Sequence, residues 1–245
     1  MTALTTSSVA DTAAEQADGI ATAELVVLDM AGTTVRDDGI VERAFERAAA
    51  TTGVGAQLPD GYALDYVRAT MGQSKIEVFT HLAGGDRAKA EEATAAFEAA
   101  YEALIAEEGV EAIPGAAETL HILRDRGIRI VFTTGFSPVT RDAILDALDW
   151  HGLADTALSP ADVGRGRPAP DLVLAAAIRA RVSSMSAVVV VGDTASDVAS
   201  GLAARAGLVV GVLTGAHDEA TLSAAGAHAV IASVRGLPEL LGLDA

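Results

Sequence analysis

The chain has 245 residues, half of them hydrophobic, and its 34 acidic against 17 basic side chains give a formal charge of −17. That length suits one α/β domain, or one domain carrying a modest insertion, with enough apolar residues for a sizeable core. The charge disfavours nucleic acid and anionic membranes as partners, the lack of Cys excludes disulfides and thiolate chemistry, and no apolar run reaches membrane-spanning length.

The opening MTALTTSSVADTAAEQADGIATA has neither the basic start nor the apolar centre of a secretory signal, so residues 1–22 read as a disordered leader of a cytoplasmic protein. Residues 24–28, ELVVL, form a short apolar run bounded by charge, the pattern of a buried parallel strand, and lead into Asp29. From about residue 40 to 107 the texture changes. IVERAFERAAATTG, DGYALDYVRAT, SKIEVFTHLAG and DRAKAEEATAAFEAAYEALIAEEG carry apolar residues at helical spacing and are separated by Gly and Pro-Asp. Residues 39–112 are therefore expected to form an inserted all-helical cap.

After IPG at 113–115 apolar runs alternate with helical segments to the end of the chain. Alternation of that kind implies crossover units, so residues 23–38 and 113–245 are expected to form a doubly wound parallel sheet, a Rossmann-like α/β core. In such sheets ligands sit at the carboxyl ends of the strands, near a switch in strand order.

Asp29 follows the first apolar run, Thr133–Thr134 the second, and Gly192-Asp193 follows AVVVV, with Asp197 four residues on. Singly these are ordinary, since an Asp after a strand is usually a helix cap and Thr134 suits a turn. Together they occupy corresponding ends of three strands. Arg167, in GRGRPAPD (164–171), precedes a Pro-rich turn that opens a helix near Asp171; alone it reads as a surface loop cation. The GRGRPA string is no dinucleotide fingerprint, because Pro168 lies inside it and no strand leads directly into it. The five His show no paired metal-ligand spacing, so zinc is not expected.

Physically this set makes a phosphoryl site. Asp29 and Asp193 with a backbone carbonyl suit Mg²⁺, which favours hard oxygens. The metal and Arg167 would neutralise phosphoryl charge, leaving Asp29 to attack phosphorus. Thr134 and the amides after Asp29 would bind the remaining oxygens. The acid usually wanted two residues after such a nucleophile is absent, because that position is Ala31.

The order D-x-x-x-T, hydrophobic-T, basic-P, G-D-x-x-x-D resembles the haloacid dehalogenase superfamily from residue 24 onward, and the helical insertion resembles that superfamily's cap. DMAGT with GRPAPD resembles its phosphonoacetaldehyde hydrolase (phosphonatase) branch, as does RATMGQSK (68–75), which matches an R-x-x-M-G-x-x-K pattern ending on Lys75. The resemblance implies metal binding by Asp29, Asp193 and the Ala31 carbonyl, substrate contacts from Thr33, Gly135, Met71 and Gly72, and support from Asp197. Asp29, Lys75, Thr134 and Arg167 would carry the chemistry, and cap-mediated homodimers are implied too.

The missing acid then has a reason. A phosphate ester leaves as an alkoxide, which benefits from a general acid. Cleaving a C–P bond leaves a carbanion, which a lysine imine on a neighbouring carbonyl accepts as an enamine. Arg cannot do this at neutral pH. Of 17 basic residues, 15 are Arg and only Lys75 and Lys89 are Lys, a bias for which a GC-rich genome is the ordinary reading. Two positions depart from the branch's pattern, Val78 where it places a His and Phe136 where an aromatic with a hydroxyl is common. They leave the substrate open between phosphonoacetaldehyde and a related 2-oxoalkylphosphonate, and His81, two helical turns past Lys75, is the histidine nearest in sequence. The competing readings are a Mg²⁺-dependent phosphatase acting on a small phosphate ester and a non-catalytic binding module of the same fold.

Overall fold

Six parallel strands form one sheet in the computed structural model, which describes residues 23–243; the leader expected at 1–22 lies outside them. β1 (Leu25–Asp29) is central. β2 (Arg129–Thr133) and β3 (Thr156–Leu158) lie to one side, and β4 (Val188–Gly192), β5 (Leu208–Val212) and β6 (Ala229–Ile231) to the other, giving the order β3-β2-β1-β4-β5-β6. Strand order reverses at β1, so the carboxyl ends of β1, β2 and β4 flank one crevice.

The apolar runs make strands buried on both faces, as a parallel sheet requires. Val26, Leu28, Ile130, Phe132, Val189 and Val191 pack to one side, while Leu25, Val27, Val131, Val188 and Val190 pack to the other. The first side is covered by α5 (Ala116–Asp125), α6 (Pro138–Leu148) and α10 (Leu237–Leu240). The second is covered by α7 (Asp171–Ala180), α8 (Ala195–Ala203) and α9 (Glu219–Ala224).

Between β1 and α5 the chain makes four helices, α1 (Ile40–Thr52), α2 (Tyr62–Ala69), α3 (Lys75–Leu82) and α4 (Arg87–Glu108). Their inner faces bury Phe45, Val67, Phe79, Phe97, Tyr101 and Leu104. The strands leading into and out of this bundle pair with one another. Arg36 N donates to Glu111 O at 2.9 Å, Ile113 N donates to Thr34 O at 2.9 Å, and Val35 bridges Ala112 in antiparallel fashion. From the core, Phe136 inserts into the bundle's aromatic cluster, with its ring centroid 4.6 Å from that of Tyr101 and 6.3 Å from that of Phe97. Among the described residues no helix is long and apolar enough to cross a membrane.

Candidate active site

β1 ends on Asp29, and Asp193 follows directly on Gly192, the last residue of β4; both strands are buried to their ends. Asp29 and Asp193 are consequently buried, as is Asp197 on the first turn of α8. One oxygen from each of the three falls within 4.8 Å of the others. Arg167 is also buried, only 5% exposed, and answers this charge. Its Nη1 lies 2.6 Å from Asp29 Oδ1 and also contacts Asp197 Oδ1, while Nη2 donates to Thr133 Oγ1 at 3.5 Å. Its Nε is buried without a hydrogen-bond partner among the described residues. Burial works against the guanidinium charge, but Asp197 and Asp29 outweigh it and keep the group protonated.

Burial raises the Asp29 carboxyl; Arg167 pulls it back and Asp197 adds to the rise. Asp193 is raised well above the usual carboxylate range by burial, with Asp29 and Asp197 adding. Carboxylates packed this closely resist joint ionisation without additional positive charge.

The other oxygens are largely committed. Asp197 Oδ2 accepts from the Thr194 amide at 3.1 Å and from the Thr194 hydroxyl, which closes a capping box on α8. Asp193 accepts from Thr33 Oγ1 at 3.1 Å and from Ala216 N at 2.8 Å. After Asp29 the backbone turns on itself, with the amides of Thr33, Thr34 and Val35 all directed to Met30 O. Ala31 borders the site cavity, and its carbonyl accepts no hydrogen bond among the described residues.

Lys75 arrives from the other side. It is the first residue of α3, half-buried, with Nζ 5.5 Å from the centroid of the Phe97 ring and 5.4 Å from that of Phe136. Burial lowers its amine to about 8, Arg167 adds to the fall, and Asp37, Asp29 and Asp193 oppose it. The positive end of α3 disfavours the ammonium further. With Asp29, Ala31, Met71, Gly72, Thr134 and Gly135, this lysine borders a cavity of about 40 Å³.

The cap loop sits directly on the core. A Cβ on Gly135 would come within 2.6 Å of Gln73 O, and one on Gly72, whose φ is +80°, within 2.5 Å of Thr194 Oγ1. Glycine at 135 lets two backbones approach this closely, and glycine at 72 lets the cap loop lie against the Thr194 side chain.

Most of the residues singled out from the sequence thus meet at one cavity. Thr134 is there, buried, its hydroxyl accepting from Phe136 N at 3.2 Å. Thr33 is not: it is fully buried, with its hydroxyl on Asp193 and its amide on Met30 O, so it supports a carboxylate instead of facing a substrate. His81 also lies elsewhere, exposed on the outside of the cap. Its ring stacks on Tyr66 at 4.0 Å, and its Nε2 lies 3.1 Å from Tyr62 Oη. Val78 is buried beneath Lys75, against Phe79 and Phe97. The sequence reading passed over Thr194, Ala216 and Asp37. Thr194 was legible as the start of T-A-S-D, a capping pattern, whereas nothing in GAHD marks the Ala216 amide as a partner of Asp193. Burial raises the Asp37 carboxyl, which the Val41 amide and Lys75 pull back.

The donor set fits a hard divalent cation. Three carboxylates cluster here with one buried guanidinium, which pairs with only two of them, and Asp29, Asp193 and the Ala31 carbonyl beside the cavity make an all-oxygen set.

Comparison with known proteins places this geometry. The family model of haloacid dehalogenase-like hydrolases matches residues 23–205. A phosphonoacetaldehyde hydrolase of Syntrophobacter fumaroxidans is 30% identical over 254 residues, covering 88% of this chain and 90% of that protein. Another, from Parabacteroides distasonis, is 35% identical over 107 residues, 43% of this chain and 40% of that protein. The crystal structure of a phosphonoacetaldehyde hydrolase-like protein from Oleispira antarctica superposes with a TM-score of 0.77 at 24% identity, over 91% of this chain and 92% of that one. The chain is a hydrolase and belongs to the haloacid dehalogenase-like family, in the branch of the phosphonoacetaldehyde hydrolases.

Proposed function

We propose that this hydrolase cleaves the C–P bond of phosphonoacetaldehyde or a related 2-oxoalkylphosphonate, with Lys75 as the imine-forming amine and Asp29 as the nucleophile. The observation that carries the reading is that Lys75, its amine lowered to about 8, borders the same cavity as Asp29 while position 31 offers only Ala. An amine near 8 is free in about a tenth of molecules at pH 7, against well under a thousandth for an ordinary lysine.

The free amine adds to the substrate carbonyl and, with loss of water, gives an iminium. Asp29 then attacks phosphorus. As the C–P bond breaks, its electron pair moves into the iminium to give an enamine, and the phosphoryl group is left on the Asp29 carboxylate. The enamine takes a proton on carbon, and water hydrolyses the resulting imine to release the carbonyl product and restore the amine. A second water hydrolyses the aspartyl-phosphate to phosphate, so one water is consumed overall. Arg167 holds the phosphonyl charge and orients Asp29, while Thr134 and Gly135, with Met71 and Gly72 from the cap, flank the substrate. Mg²⁺ is the cation that Asp29, Asp193 and the Ala31 carbonyl would hold, and when bound it withdraws charge from the phosphonyl oxygens.

The discriminating experiment offers phosphonates and phosphate esters side by side, with aldehyde or ketone release followed together with phosphate. Equal release of both products from a phosphonate supports the reading. Hydrolysis of esters with phosphonates untouched replaces it with the phosphatase.

A further inference from the structure

The cavity at the catalytic residues is small. Its roughly 40 Å³ has room for about three water-sized groups, the bulk of a phosphonyl head. Beside it, sharing Lys75, Gly135 and Phe136 as common wall, lies a second cavity of about 660 Å³ between the cap and the core. That is the size of a site for an organic molecule much larger than a two-carbon aldehyde. With the phosphonyl group at Asp29 and the carbonyl carbon at Lys75, phosphonoacetaldehyde would turn only its aldehyde hydrogen toward this space.

The walls define what would fill it. Ile76, Phe136, Pro138, Pro160, Ala161 and Pro168 make it largely apolar. Its two arginines are already engaged. Arg87 pairs with Glu91 at 3.2 Å and Glu77 at 3.8 Å, and Arg165 holds Asp171 through two bonds of 2.9 and 2.8 Å. Glu98, half-buried on α4, borders the cavity near Ser137 and would repel a second anionic group. With Lys75 committed to the imine, the described lining offers no other unpaired cation to a carboxylate, whereas an uncharged chain would displace water from apolar surface.

The geometry points to a substrate that is a ketone, a 2-oxoalkylphosphonate carrying an uncharged alkyl or aryl chain on its carbonyl carbon, with that chain lying in the 660 Å³ cavity. This assignment rests on the C–P cleavage proposed above and specifies its substrate class. Bond making and breaking are unchanged: water and the ketophosphonate give phosphate and the methyl ketone.

The test compares kcat/KM for phosphonoacetaldehyde, 2-oxopropylphosphonate and 2-oxohexylphosphonate, following phosphate and, for the last, hexan-2-one. The expected order rises with chain length, the hexyl compound exceeding the aldehyde by tenfold or more. Ala161→Phe, which fills the cavity from an exposed turn, should lower the hexyl-to-aldehyde ratio at least tenfold. Borohydride trapping should give adducts on Lys75 whose masses match each carbonyl compound. Cleavage of the aldehyde with the hexyl compound tenfold poorer, or a ratio unmoved by Ala161→Phe, overturns the substrate class and leaves C–P cleavage standing. No cleavage of any of the three overturns both.

Discussion

Arg167 Nη1 lies 2.6 Å from Asp29 Oδ1 and also contacts Asp197 Oδ1, so one buried guanidinium ties the carboxylate at the end of β1 to the one on the first turn of α8. The pairing fixes the Asp29 side chain, and it places permanent positive charge where a phosphonyl group would arrive. Lys in its stead would supply one point charge and a competing amine.

Asp29→Asn should therefore cut turnover by at least about a hundredfold while leaving the fold intact, because the amide cannot serve as the nucleophile. Circular dichroism checks the fold and phosphate release checks the rate. A variant that keeps a tenth of wild-type activity would rule out an aspartyl-phosphate.

Lys75→Arg keeps a cation at the first turn of α3 yet cannot form the imine, so phosphonate cleavage should vanish, and borohydride with substrate should no longer add mass. On the proposed mechanism the free amine would be the reactive form in the wild type. With the amine lowered to about 8, kcat/KM should climb with pH, about tenfold per unit well below that value, and level off above it. A profile flat from pH 6 to 9 would remove the lysine from the chemistry.

The same amine is a burden on the fold. Its protonation is disfavoured in the native site and unhindered in the unfolded chain, so the unfolded state binds more protons between about 8 and the ordinary lysine range. The resulting destabilisation is full below about pH 8 and disappears once lysine is neutral in both states. Lys75→Met should raise Tm at pH 7, by roughly 2–4 °C for each kcal/mol relieved, with the advantage fading from about pH 8 and gone above the ordinary lysine value of about 10.4. An inactive variant no more stable at pH 7 than the wild type would contradict this.

Mg²⁺ should stabilise the protein as well as activate it. A ligand at 100 times its Kd adds about 2.7 kcal/mol if it binds only the folded state. Scanning calorimetry with EDTA and with Mg²⁺ measures the gain directly, and Asp193→Asn should abolish most of it. A thermal midpoint indifferent to Mg²⁺ would argue against a metal on these carboxylates.

Gly135→Ala should lower activity tenfold or more without unfolding the core, because the new methyl meets the Gln73 carbonyl and lifts the cap loop from the site. The effect should fall mainly on imine formation, read as weaker borohydride trapping at Lys75, since that residue follows the displaced loop. Full trapping in the variant would show that the loop accommodates the methyl.

Much of this was legible in the sequence because parallel strands buried on both faces write themselves as unbroken apolar runs, and what ends such a run sits at the crevice. Asp29, Thr134 and Asp193 were readable on that ground, and the cap helices by their spacing. What was not legible is direction around a helix axis and pairing between distant loops. His81 follows Lys75 by six residues, about 240° around the helix, which puts it on the outside with Tyr66. Val78, three residues on, returns to within about 60° of the lysine's side and lines its apolar seat. Thr33 follows Asp29 closely, yet the tight turn at Met30 sends its hydroxyl to Asp193. Phe136 stands where the pattern it resembles has an aromatic with a hydroxyl, and its ring joins a cluster with Phe97 and Tyr101 that no local spacing announces.

The backbone pairing of Thr34–Arg36 with Glu111–Ile113 limits how the cap can travel. Two separate tethers would allow the bundle to swing, twist and slide independently. A hydrogen-bonded ribbon resists shear between its strands and yields chiefly by bending across its plane, so the bundle's displacement collapses onto a single coordinate. Any opening on this ribbon would lift Met71, Gly72 and Lys75 away together, and closing would return them in register. On the proposed mechanism, a substrate held at both Asp29 and Lys75 would work against that one spring, and the lysine would reach the carbonyl only as the cap loop comes down on Gly135.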